Sequence, residues 1–176
     1  MVDLRERVEE DRGYLKKIQM YIPGFRGYRI REDIRQADGL LRIQLANKIR
    51  DTKTDLESCR KLMVSKYMTS QLEPLGGLIN YMTKIDGEVR HAEQGYSGFS
   101  AAIQVKEEEL DRLYEFDYSM INLIFGLKQR IDLLKEAIQR GNEMHVENEL
   151  AALRTAMEDF ENTFRRRMNV ITGTEV

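Results

Sequence analysis

Glu88-Val89-Arg90-His91 places a carboxylate and an imidazole three residues apart, the spacing by which helical bundles hold di-iron centres. Such a centre needs a second pair, and the only other histidine, His145, has Asn142 at that distance. One cysteine and two histidines do not supply a zinc site. No metal or other cofactor is therefore expected, and His91 is assigned to the C-terminal dipole of its helix. Cys59 has no histidine near it in sequence and falls on a helical core stripe, so it is read as a packing residue. The remaining reactive group is Asp117. It interrupts an otherwise apolar series, Leu110, Leu113, Met120, Ile124, Leu127, Ile131, Leu134 and Ile138, whose steps alternate three and four. An unpaired buried carboxylate is costly, so Asp117 is either a structural partner of a basic or hydroxyl group that fixes helix register, or a catalytic carboxylate beside an opening. The structural role is the expectation, and no catalytic residue is assigned.

A binding site is more legible than a reaction. Ile22-Pro23-Gly24-Phe25-Arg26-Gly27-Tyr28-Arg29 separates two amphipathic stretches with helix-breaking residues and carries two aromatics and two arginines. Phe25, Arg26, Tyr28 and Arg29 are candidate partner-binding residues, joined by Tyr96 and Phe99 from the loop Gln94-Gly95-Tyr96-Ser97-Gly98-Phe99. The competing reading is a tight turn whose Phe25 and Tyr28 plug the end of the fold. Pro23-Gly24-Phe25 resembles the opening of a helix-hairpin-helix turn, but the second glycine comes one residue late. Gly24-Phe25-Arg26-Gly27 matches the KH loop without the sheet that module requires. Ser97 lacks the strand-turn-helix setting of a nucleophile elbow and is read as a turn residue. Arg165-Arg166-Arg167 reads as a solvated helix end.

These residues need a scaffold of helices. Leu4, Val8, Leu15 and Ile18 predict a first helix from about residue 3 to 20. Ile34, Ala37, Leu41, Leu45, Thr52, Leu56, Cys59 and Met63 predict a second over about 30–70, ending before Glu73-Pro74-Leu75-Gly76-Gly77. A third carries Leu78, Ile79, Met82, Ile85 and Val89. After the mid-chain loop, in which Ile103 and Val105 could form a short extended segment, a fourth starts at Glu107-Glu108-Glu109 and ends before Gly141-Asn142. The last covers about 143–168, with Val146, Leu150, Leu153, Met157, Phe160 and Phe164 repeating the three-and-four alternation. The expected fold is all-α: a single elongated antiparallel bundle of about five helices over residues 1–176, with heptad packing.

Charge excludes a polyelectrolyte binder, since 28 basic residues face 30 acidic ones. The balance is uneven: residues 1–70 hold 16 Lys and Arg against 11 Asp and Glu. Arg26, Arg29, Arg31, Arg35 and Arg42 therefore make nucleic acid or an anionic membrane surface the second choice of partner. No apolar run is long enough to span a bilayer, and a lone cysteine fits a reducing cytoplasm.

The Ile22–Tyr28 and Gly95–Phe99 motifs, followed by Leu113-Tyr114-Glu115-Phe116-Asp117, resemble a group of archaeal and bacterial helical proteins with no assigned activity. The resemblance implies no catalytic residue; it implies at most a peripheral association with stomatin-type membrane scaffolds. The sequence thus points to a non-enzymatic cytoplasmic scaffold or interaction module with a protein partner or a second copy of itself. Nucleic acid or anionic membrane is the alternative, and a metal-dependent enzyme around His91 and Asp117 the distant third.

Overall fold

The structure, a computed structural model, describes residues 4–27, 31–92 and 107–172, and the side chains within 13–27, 37–92 and 110–171. Five helices make up the described chain: α1 (Leu4–Tyr21), α2 (Arg31–Ser65), α3 (Leu72–His91), α4 (Glu107–Gln139) and α5 (Glu143–Thr172). One turn of 3-10 helix, Thr69–Gln71, precedes α3. The long helices α2, α4 and α5 have 35, 33 and 30 residues. At ~1.5 Å per residue they run about 45–53 Å, so the bundle is elongated.

Helix α2 packs against α3 and α4, and α5 packs against α4 and α3, which closes a ring of four in the order α2, α3, α5, α4. The fifth helix, α1, lies against α4. Cross-helix contacts give the directions. Arg42 reaches Val89 and Lys53 reaches Thr83, so α2 and α3 are antiparallel. Asp117 meets Arg167 and Arg130 meets Glu149, so α4 and α5 are antiparallel as well. Lys135 bonds Asp55, while Asp38 and Asp117 share Arg167, so α2 and α4 run in the same direction.

The apolar stripes form the core. Leu41, Leu45, Leu56, Cys59 and Met63 of α2, Met82 and Val89 of α3, and the α4 and α5 series from Leu113 to Ile138 and from Val146 to Phe164 are all buried.

Two helix boundaries differ from the sequence reading. The α2–α3 break falls at Lys66–Met68, before Pro74, and Pro74, Gly76 and Gly77 lie inside α3. Proline in a first helical turn gives up an N–H that would have no intrahelical acceptor anyway. The stop is a Schellman motif: Met68 N–H donates to Met63 C=O (3.0 Å), and Tyr67 N–H donates to Val64 C=O (3.2 Å). Tyr67 takes the left-handed position, with φ of 59°. The α4–α5 turn repeats the motif with the expected residue. Asn142 N–H donates to Ala137 C=O (3.1 Å), Gly141 N–H donates to Ile138 C=O (3.0 Å), and Gly141 has φ of 68°. Asn142 then caps α5, its Oδ1 accepting the His145 N–H at 3.1 Å. The second difference is the end of α5, which continues past 168 to Thr172 and so places Arg167 inside the helix.

Candidate functional site

The Pro-Gly turn is a plug. Gly24 and Gly27 both have φ of 86°, a conformation that reverses the chain after α1 and turns Phe25 inward. Phe25 is 2% exposed and meets the Tyr114 ring edge-on at 6.5 Å, with an 88° interplanar angle. Gln19 Nε2 donates to the Phe25 carbonyl at 3.0 Å. A methyl group on Gly27 would stand 2.6 Å from the Tyr114 hydroxyl oxygen. The expectation of Phe25 as an exposed docking residue is therefore corrected: its ring closes the gap beside α4. Arg26 is exposed on the same turn. Tyr28, Arg29, Tyr96 and Phe99 lie outside the described residues, as do the side chains of Arg31 and Arg35. Arg42, counted among the basic contacts, is buried and belongs to a different assembly.

That assembly centres on Asp117. Arg167 Nε donates to Asp117 Oδ1 at 2.5 Å, and its Nη1 donates to Asp38 Oδ1 at 2.6 Å. Asp38 Oδ2 accepts from Arg42 Nε at 2.8 Å, and Arg42 Nη1 donates to the Val89 carbonyl at 3.3 Å. Exposures are 1% for Asp38, 2% for Arg42, and 0% for Asp117 and Arg167. Two carboxylates and two guanidiniums cancel in formal charge, and the chain of contacts touches α2, α3, α4 and α5. Val89 lies in the last turn of α3, where carbonyls lack helical donors and a cation complements the dipole. Each buried ion loses hydration worth several kcal/mol, which the opposite charges against it offset.

Asp117 thus has the basic partner expected for a structural residue. The reading of Arg167 as part of a solvated end fails because α5 continues beyond it. The missed signal was in the spacing. Counted outward from the Gly141–Asn142 turn, Asp117 is the seventh position of the α4 series, and Arg167 is the seventh of the α5 series once that series is extended past Phe164. In an antiparallel hairpin those positions face each other. Asp38 and Arg42 had a weaker signal, an i, i+4 acid–base pair flanking the core residues Ala37 and Leu41.

A second polar cluster joins α3 to α5. Glu161 accepts from the Tyr81 hydroxyl at 2.5 Å and from Lys84 Nζ at 2.9 Å, and it pairs with Arg165 on its own helix. The Tyr81 hydrogen bond, helped by Lys84 and Arg165 against the effect of burial, holds the Glu161 carboxyl below its ordinary range. Burial, then the bond to Glu161, pushes the Tyr81 phenol up. The Cys59 thiol is buried and raised to about 11, chiefly by burial, with Asp55 and Asp132 adding and Lys135 opposing. That suits packing and not nucleophilic attack. His91 is exposed at the end of α3, and Glu88 pairs with Lys84 at 3.5 Å. Among the described residues, no three His, Cys, Asp or Glu side chains gather to hold a metal ion.

One open surface feature is a groove of about 500 Å³ between α1 and α4, reaching Ala156 of α5. Tyr14 and Tyr118 meet at 5.6 Å within it, and Lys17 Nζ stands 5.6 Å and 5.1 Å from their ring centroids. Glu115, Ser119, Asn122 and Arg130 add hydrogen-bonding groups along α4. Tyr21 and Phe125 meet at 5.0 Å further along, tilted by 59°, so α1 is held to α4 by aromatic pairs. No described helix is long and apolar enough to cross a membrane. Comparison with protein-family models, curated proteins and solved structures finds no match.

Proposed function

We propose that the protein is a non-enzymatic interaction module of the cytoplasm, a helical rod that presents the α1–α4 groove to a protein partner. The observation that carries the reading is the Asp117–Arg167–Asp38–Arg42 cluster. These four charged groups of the core bind one another across the helices, which is chemistry that fixes shape. The groove supplies what a partner would use: aromatic faces, a lysine held against them, and hydroxyl and amide groups at its rim. The test is affinity isolation of the tagged protein from its own cells after brief cross-linking, with the pair Lys17→Glu and Tyr118→Ala as control. One stoichiometric protein should accompany the wild type and be lost from the variant while helix content is unchanged. Equal recovery of that protein with both, or recovery of none, overturns the groove reading.

A further inference from the structure

Helices α2 and α3 leave an opening of about 350 Å³ between them, walled by Arg50 and Lys53 of α2 and by Thr83, Asp86 and Arg90 of α3. Arg50 and Lys53 are one turn apart on their helix, and Thr83, Asp86 and Arg90 follow one another by single turns on theirs. Antiparallel packing sets the two rows face to face, with Lys53 Nζ 3.5 Å from Thr83 Oγ1. The Thr83 hydroxyl donates to the Ile79 carbonyl at 2.9 Å, which leaves its oxygen turned to the lysine as an acceptor. Lys53, Asp86 and Arg90 are half-buried, so they lie along the walls, and Arg50 is exposed at the rim.

The charges in this opening do not cancel. Arg90 Nη2 donates to Asp86 Oδ1 at 3.0 Å, and Lys53 Nζ stands 3.7 Å from Glu57 Oε1. Arg50 has no carboxylate partner among the described residues; its Nη2 donates to Asn47 Oδ1 at 3.0 Å. Arg90 Nη2 reaches the same oxygen at 3.5 Å. Two guanidiniums thus share one neutral acceptor, with an ammonium one turn along α2. Cations exceed carboxylates even when Glu57 is counted, and cations gathered in a concave site attract a compact anion.

We infer that this opening is a binding site for one phosphate group, free or as the head of a small monoester. Planar guanidiniums match phosphate oxygens through paired N–H groups, so Arg50 and Arg90 turn from the Asn47 oxygen to the ligand. Lys53, positioned by Thr83, adds the third positive charge. The volume lies at the small end of the ligand-pocket range of roughly 300–1,000 Å³, which suits a ligand of few atoms. Asp51 and Glu57 flank Arg50 and Lys53 along α2, and Glu88 precedes Arg90 on α3, so the cluster does not continue as the basic track that a polyanion follows. The site uses other helices than the α1–α4 groove and is independent of it.

NMR titration of the full chain with inorganic phosphate and with glycerol 3-phosphate, at low ionic strength, tests the inference. Saturable shifts around Arg50, Lys53, Thr83 and Arg90 are expected, with a dissociation constant of about 1 mM or below. The stronger of the two probes separates an ester from free phosphate as the source of the group. Arg50→Gln should weaken binding about tenfold with helix content unchanged. Asp86→Asn should tighten it about threefold, because it removes the carboxylate that competes for Arg90. Lys61→Gln, outside the opening, should leave it unchanged. No saturable shift up to about 20 mM of either probe, binding unaltered by Arg50→Gln, or weaker binding by Asp86→Asn would each overturn the inference.

Discussion

Near Asp117 the four-helix ring is held by buried charge, whereas toward the two turns the same helices meet through Ile131, Leu134, Ile138, Val146 and Leu150. The charged layer accepts only one arrangement, because a helix slipping by one turn would strand a guanidinium or a carboxylate without its counter-charge. The apolar layers would tolerate such a slip, since one leucine replaces another at similar cost. The charged layer thus specifies position, and the apolar layers supply cohesion.

The sharpest way to break this contrast is to remove one charge. Arg167→Met removes the guanidinium that Asp38 and Asp117 share in the core and should cost about 3–5 kcal/mol in chemical denaturation. Replacing Asp38, Arg42, Asp117 and Arg167 together with apolar residues should recover most of that loss. The recovered protein should show broadened or doubled amide resonances near the cluster. Sharp, single resonances would show that the charges do not set register.

The helices and their buried faces were legible because apolar periodicity reports burial directly. Asp117 was legible for the complementary reason, as a polar residue in an apolar row. Arg167 was hidden because a basic run near an assumed helix end has a ready surface explanation, and nothing local in Arg165-Arg166-Arg167 says which of the three turns inward. The α2 stop was hidden because its left-handed position carries tyrosine and not glycine, while the Pro-Gly-Gly segment nearby offered a false one. Phe25 could be read either way from sequence; only the approach of α4 decides it.

The plug offers the next largest effect. Gly27→Ala combines a left-handed alanine with a Cβ 2.6 Å from the Tyr114 hydroxyl, whereas the nearest atom to a Cβ on Gly24, at 3.7 Å, is Leu40 Cδ2. Thermal unfolding should show a loss of about 2–3 kcal/mol for Gly27→Ala and about 1 kcal/mol for Gly24→Ala. Equal losses would mean that strain alone, and not the packing of the plug, sets the cost.

At the two turns the expected signs are opposite. Gly141→Ala should destabilise by about 1 kcal/mol and Tyr67→Gly should stabilise by about the same amount, measured by denaturant titration. Two changes of the same sign would remove the equivalence of the turns.

The smallest effect concerns Glu161, which bonds outward to half-buried Tyr81 and exposed Lys84 and so differs from the fully buried cluster six residues further along α5. Its folded-state pKa is lowered, so the unfolded chain binds its proton more readily. The contribution is present above the ordinary carboxylate range and is lost as pH falls through the folded value. Glu161→Gln should therefore flatten the acid limb of the stability profile, and an unchanged acid limb would contradict the assignment.

The claim that buried charge positions this bundle rests most directly on the coupling between Asp117 and Arg167. A double-mutant cycle with Asp117→Asn and Arg167→Gln, read by urea denaturation, measures it. A coupling of about 2–3 kcal/mol is expected, and single-mutant effects that add to within about 0.5 kcal/mol would contradict that role for the pair.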